Sequence, residues 1–122
     1  MKLVNLTPHS VTLIRSVDKA EYHSATRSYR INSTLEGDDI QIIPSSGVSR
    51  CNMDEVEVAP GFFRVKFGKI DGLPDPEDGV MYIVSRIVMD AAHECGRDDV
   101  CAPHRLVRDV QGNIIGCLGF SL

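Results

Sequence analysis

The chain has 122 residues, 43% of them apolar and 25% charged, with a net charge of −4. At 13.4 kDa a compact monomer hides about two-thirds of its unfolded surface, enough for one core and a single domain over residues 1–122. These values exclude wholesale disorder, the acidity argues against a general binder of DNA or RNA backbones, and no apolar run approaches the ~18 residues of a membrane span. Met1-Lys2-Leu3-Val4-Asn5 has no signal-peptide core, so a cytoplasmic protein is expected.

Leu3–Ile14 alternates: Val11 and Leu13 face one way, Ser10 and Thr12 the other, as in a half-buried strand after the Thr7-Pro8 turn. Ser24–Ile31 is polar, arginine-bearing and strand-like only at its end, and Asn32–Asp39 reads as a loop. Asp39–Ile43 is a short strand stopped by Pro44-Ser45-Ser46-Gly47. Val48–Val58 and Phe62–Ile70 form two extended strands joined across Ala59-Pro60-Gly61, with Phe63, Val65 and Phe67 alternating with Arg64 and Lys66. The prolines and glycines of 71–79 break both helix and sheet.

Val80–Val84 is an apolar strand, and Ser85 caps a helix running to about Cys95. Its apolar stripe is Ile87, Ala91 and Cys95 with Val88 and Ala92 beside them, and Gly96 supplies the left-handed C-terminal cap. Val100–Ala102 and Leu106–Arg108 are short extended pieces. The Asp109–Gly112 turn then leads into a strand over Asn113–Leu118, giving a C-terminal β-hairpin. The fold class expected is α+β: mainly antiparallel β-sheet with one principal helix over about 85–95.

The familiar phosphate-loop, dinucleotide, nucleophile-elbow and zinc-helix motifs are missing, and His9-Ser-Val and His23-Ser-Ala both miss the third position of a two-histidine phosphodiesterase. His93, Cys95, Cys101 and His104 fall within twelve residues, but neither arm has a paired zinc spacing. Buried free thiols are therefore expected of Cys51, Cys95, Cys101 and Cys117, with no metal and no cofactor. Arginine outnumbers lysine nine to four. Arg27, Arg30, Arg50, Arg97 and Arg108 lie beside turns and helix ends, where they form either a phosphate-reading surface or ordinary surface ion pairs. Tyr82 is a base-stacking platform or a core tyrosine. Asp90 is an acceptor for a ribose hydroxyl or adenine amine, or a solvated helix aspartate.

Several blocks together resemble a group of small phage and prophage proteins. They are Asn5-Leu-Thr-Pro-His9, Pro44-Ser-Ser-Gly-Val-Ser-Arg50, Tyr82-Ile-Val-Ser85, Gly96-Arg-Asp-Asp99, Val107-Arg-Asp109 and Gly112-Asn-Ile-Ile-Gly-Cys117. They span nearly the whole chain apart from Val17–Asp39, and the second has one serine more before its glycine than the group's pattern. This group is similar to the first described family of Thoeris anti-defence proteins, phage sponges that bind cyclic ADP-ribose signals without cleaving them. Some members also take up cyclic oligonucleotides at a separate site in a hexameric assembly. The resemblance implies a non-enzymatic, homo-oligomeric sponge. Its ligand contacts would come from Arg27, Arg50, Tyr82, Asp90, Arg97 and Arg108, with Arg27 and Arg108 on the pyrophosphate and Tyr82 under the adenine. Asp90 stands where the family's main helix carries an asparagine, and an aspartate there must face ribose or base rather than phosphate. The competing expectations are a phage interaction or structural module without a small ligand, and a metal-assisted nucleotide hydrolase.

Overall fold

The computed structural model describes residues 1–122. Ten strands and one helix follow in chain order: β1 (Lys2–Asn5), β2 (Val11–Ile14), β3 (Ala20–His23), β4 (Ser28–Ile31), β5 (Ile40–Ile43), β6 (Arg50–Ala59), β7 (Phe62–Asp71), β8 (Val80–Ile83), α1 (Arg86–Glu94), β9 (Val100–Arg108) and β10 (Ile114–Ser121). The fold is α+β, with β9 and β10 forming the C-terminal antiparallel hairpin. The long ladders are antiparallel, and four short parallel ones join β1 to β8, β8 to β9, β4 to β9 and β10 to β2.

Six strands lie side by side in the order β1-β8-β9-β10-β2-β5. A bridge between Asn5 and Ser45, just past β5, brings the two ends together, so the sheet closes as a small barrel. Its interior takes a residue from every strand: Leu3, Met81, Ile83, Cys101, Phe120, Val11 and Ile43 form one cluster. The intervening residues Val4, Tyr82, Val84, Val100 and Ala102 point outward and are covered by Val88, Met89 and Ala92 of α1. Val80–Val84 is thus apolar throughout because both of its faces are buried.

Helix α1 starts where Ser85 Oγ accepts a hydrogen bond from the Val88 amide at 3.3 Å, and the chain leaves it at Gly96 with φ +81°. Its buried face is Val88, Met89, Ala91 and Ala92. The expected stripe is corrected: Ile87 and Cys95 are exposed, because the strands under α1 meet a face centred closer to Met89.

Two further expectations change. Val100–Ala102 and Leu106–Arg108 are one strand, β8 pairing with its first two residues and β10 with it from Ala102 to Arg108. Pro103 is tolerated where β9 has a partner on one side only, between its ladder to β8 and its ladder to β4. Strand β3 was not expected either: Ala20–His23 is almost wholly exposed and lacks an apolar face, and its cross-strand pairing to β4 makes it a strand.

Barrel closure converges on Asn5, which is completely buried. Its Nδ2 donates to the carbonyls of His9 at 2.9 Å and Ile43 at 3.0 Å, and its Oδ1 accepts from the Thr7 amide at 3.0 Å and Thr7 Oγ1 at 2.6 Å. Every polar atom of the amide is satisfied, so an apolar replacement strands groups on three segments. Asn5→Leu is expected to lower unfolding free energy in urea by about 2–4 kcal/mol, and Thr7→Val by about 1 kcal/mol. A loss under 0.5 kcal/mol for Asn5→Leu would refute this role.

Candidate anion-binding site

The β3–β4 hairpin docks on β9 through the parallel pairs Tyr29↔Val107 and Arg30↔Arg108. Between hairpin and strand lies an open cleft of about 350 Å³, lined chiefly by Tyr22, Arg27, Tyr29, His104, Arg105 and Arg108. Arg27 ends the hairpin loop at φ +51° and Arg105 sits within β9 at φ +56°. They are the only non-glycine residues in the left-handed region, and both border this one cleft. Such backbone costs of order 1–3 kcal/mol each, and both instances fall at this one cleft.

The electrostatics favour an anion. None of the three arginines forms an ion pair, and the cleft lining includes no acid. Arg108 donates from Nη1 to the Gly112 carbonyl at 2.7 Å, which fixes its guanidinium against the β9–β10 turn. Tyr22 and Tyr29 are directly opposite across the hairpin, ring centroids 5.1 Å apart and inclined at 62°. Tyr29 thereby braces Tyr22, a residue 53% exposed. Ser28 is buried at the cleft, its hydroxyl 2.8 Å from that of Thr26.

The six residues singled out in the sequence do not form one site. Arg27 and Arg108 come together here. Arg50 is exposed in a separate shallow cleft with Pro8, Val48, Ser85 and Ile87. Tyr82 is corrected as a stacking platform: it is 3% exposed in the core under α1, its hydroxyl donating to the Asp75 carbonyl at 3.3 Å. Arg97 is corrected as a ligand arginine. Its guanidinium grips Asp99 through Nε and Nη2, both at 2.8 Å, and donates to the Pro74 carbonyl at 2.7 Å. That contact holds the Asp99 carboxyl below its ordinary pKa. Asp90 lies on the exposed side of α1, 4.0 Å from Arg86 Nε, and lines no cleft.

Sequence reasoning missed Tyr22, Tyr29 and Arg105, and weighed His104 only as a zinc ligand. The pairing of two tyrosines across the Ser24–Arg27 loop is a readable signal once β3 is known to be a strand. Arg105 carries no signal, because its left-handed backbone depends on how β9 meets β4. His93, Cys95, Cys101 and His104 do not converge, and no three potential metal ligands gather anywhere in the molecule. Cys101 is in the barrel interior, where burial first and Cys117 second push its thiol up to about 11, so it carries no thiolate near neutrality.

Comparison of the chain with family models, curated proteins and solved structures gives no match. No helix is long and apolar enough to cross a membrane.

The hairpin is anchored behind the cleft by Asp39. Lys19 Nζ donates to its carboxylate at 2.8 Å and to the Thr34 carbonyl at 3.1 Å, while Ser16 Oγ and the Glu36 amide donate to the same carboxylate. The Lys19 hydrogen bond, then those of Ser16 and Glu36, hold the Asp39 carboxyl well below the usual carboxylate range. A depressed pKa stabilises the fold above the unfolded value of about 3.9, and that contribution disappears as pH falls toward the folded value. Urea unfolding between pH 6 and 2 is expected to show stability falling below about pH 4. Asp39→Asn should be less stable at pH 6 and show a shallower acid limb. An unaltered acid limb in that variant would remove Asp39 as its source.

Proposed function

We propose that the protein captures a cyclic ADP-ribose-type signal and holds it intact, as a phage immune-evasion sponge in the cytoplasm of the host cell. The observation that carries this reading is the gathering of three arginines free of ion pairs, Arg27, Arg105 and Arg108, beside the exposed Tyr22 ring. A pyrophosphate offers two adjacent anionic groups that guanidinium forks grip by charge-assisted hydrogen bonds, and adenine offers a face for Tyr22. Tyr22 takes the stacking role that Tyr82, being buried, cannot fill. Capture asks only for binding groups, which the arginines and hydroxyls of the cleft supply. The cleft is open, and its volume is near the lower end for ligand sites of about 300–1,000 Å³. A second copy would close over this open face in the homo-oligomer that the resemblance implies.

The test is native mass spectrometry with a panel of cyclic ADP-ribose isomers and cyclic oligonucleotides, followed by heat release and chromatography of the bound material. A sponge binds one of them and returns it unchanged. A chemically altered product would make the protein an enzyme, and no uptake of any would refute sequestration. Arg27→Ala and Arg105→Ala keep the left-handed backbone demand and remove only the guanidinium. Each is expected to weaken capture about 10–100-fold, with the thermal transition intact. Arg108→Ala should abolish capture, and Tyr82→Phe should leave it unchanged. Wild-type affinity in all three arginine variants would place the ligand elsewhere.

A further inference from the structure

Successive side chains of a strand point to opposite faces, so regular pleating would set His104 and Leu106 on one side of β9 and Arg105 on the other. The left-handed backbone at Arg105 interrupts that alternation, and His104, Arg105 and Leu106 all border the same cleft. An imidazole thus joins the guanidiniums of Arg27, Arg105 and Arg108. His104 is exposed and forms no ion pair, so its ring is accessible to whatever enters.

The groups around this ring are cationic or neutral. From the β3–β4 hairpin they are Arg27, Tyr22 and Tyr29, and along β9 they are Arg105 and Arg108. On β10 the residue opposite His104 is Gly119. The one titratable group of β10 is the Cys117 thiol, which burial pushes up, so it is uncharged near neutrality. No carboxylate lines the cleft to hold a proton on the imidazole before a ligand arrives.

An imidazole is the side chain whose charge ordinarily changes between pH 5 and 8, and an opposite charge within about 4–6 Å favours its protonated form. An anion gripped by the arginines supplies that charge. We propose that His104 is the proton-dependent cation of the cleft: the arriving anion draws a proton onto its ring, so capture takes up a proton and tightens as pH falls. The proposal rests on the reading of this cleft as the capture site. The sign follows from linkage. The anion-bound protein holds more protons than the free protein, so affinity rises as pH falls and levels off once the ring is charged in both states. The arginines are charged throughout this range, so they set the affinity and His104 sets its slope with pH.

Two probes on the full-length chain separate this inference from the nucleotide reading. Sulfate, a dianion over the whole range, is titrated at constant ionic strength at pH 8 and pH 6, with the amide signals of the cleft followed by NMR. Cyclic ADP-ribose isomers are titrated by calorimetry in buffers of unlike ionisation enthalpy, which reports the protons taken up. Wild type is expected to bind about three- to tenfold more tightly at pH 6 than at pH 8, with net proton uptake. In His104→Gln that ratio should fall to about one. His104→Lys, a permanent cation, should bind more tightly at pH 8 than His104→Gln does. His23→Gln, which alters the other histidine of this region, should keep the wild-type ratio. Proton-linked sulfate binding without nucleotide uptake would uphold the role of His104 and refute the sponge. Nucleotide uptake whose pH dependence is absent, or survives in His104→Gln, would overturn the proposal and leave the sponge standing. Failure of both probes to bind would overturn both.

Discussion

The side-chain amide of Asn5 closes the barrel. It sits at the end of β1 and donates to the His9 carbonyl in the turn just after the strand and to the Ile43 carbonyl at the end of β5, which is distant in sequence. The neighbouring backbone continues the seam: the Ser46 amide donates to the Asn5 carbonyl, the Leu6 amide to Ile83, and the Ser49 amide to Leu6. A barrel this small has few interior residues to hold its first and last strands together. Directional hydrogen bonds in a dry setting supply the registration that dispersion alone would leave loose. The Asn5-Leu-Thr-Pro-His9 block is accounted for by this seam, through Asn5, Thr7 and the His9 carbonyl, with no appeal to a ligand.

From that closure follows the split of the apolar residues into an interior set and an outer set under α1. With β8 buried on both sides, its tyrosine is committed to the core. The surface left for recognition is then what the barrel does not use, namely the exposed hairpin of β3 and β4 and the unpaired side of β9. The cleft forms between them, in a region of strained backbone and uncompensated positive charge on an otherwise acidic protein. Two arginines elsewhere are drawn into ion pairs: Arg97 locks Asp99 to the chain before β8, and Arg86 lies beside Asp90 on the helix. Three guanidiniums without an ion pair at one open cleft are how a protein of net charge −4 can attract an anion locally.

Strands β6 and β7 form a separate two-stranded arm that contributes little to the core and much to the surface. Its base is fixed by Cys51 and Ile70, and the backbone at Gly72 passes so close to the Val48 carbonyl that a Cβ there would lie 2.4 Å away. Together with φ +79° at Gly72 this sets the direction in which the arm leaves the body.

Periodicity in the sequence determined the elements that depend on local pattern: the two strands of the arm, the strand at Val80–Val84, the capped helix after Ser85, and the C-terminal hairpin turn. In each, alternation, a cap or a glycine acts over a few residues. Arg27 and Arg108 were singled out in the sequence as two of a group of arginines beside turns and strand ends, and the fold brings these two to one cleft. Tertiary structure alone decided that Tyr82 is core and that Arg97 is spent on Asp99. It also decided that Tyr22, His104 and Arg105 join Arg27 and Arg108, and that four parallel ladders complete the sheet. Each of these depends on which strand lies beside which, and pairing across dozens of residues is set by barrel closure at Asn5, which no local pattern records.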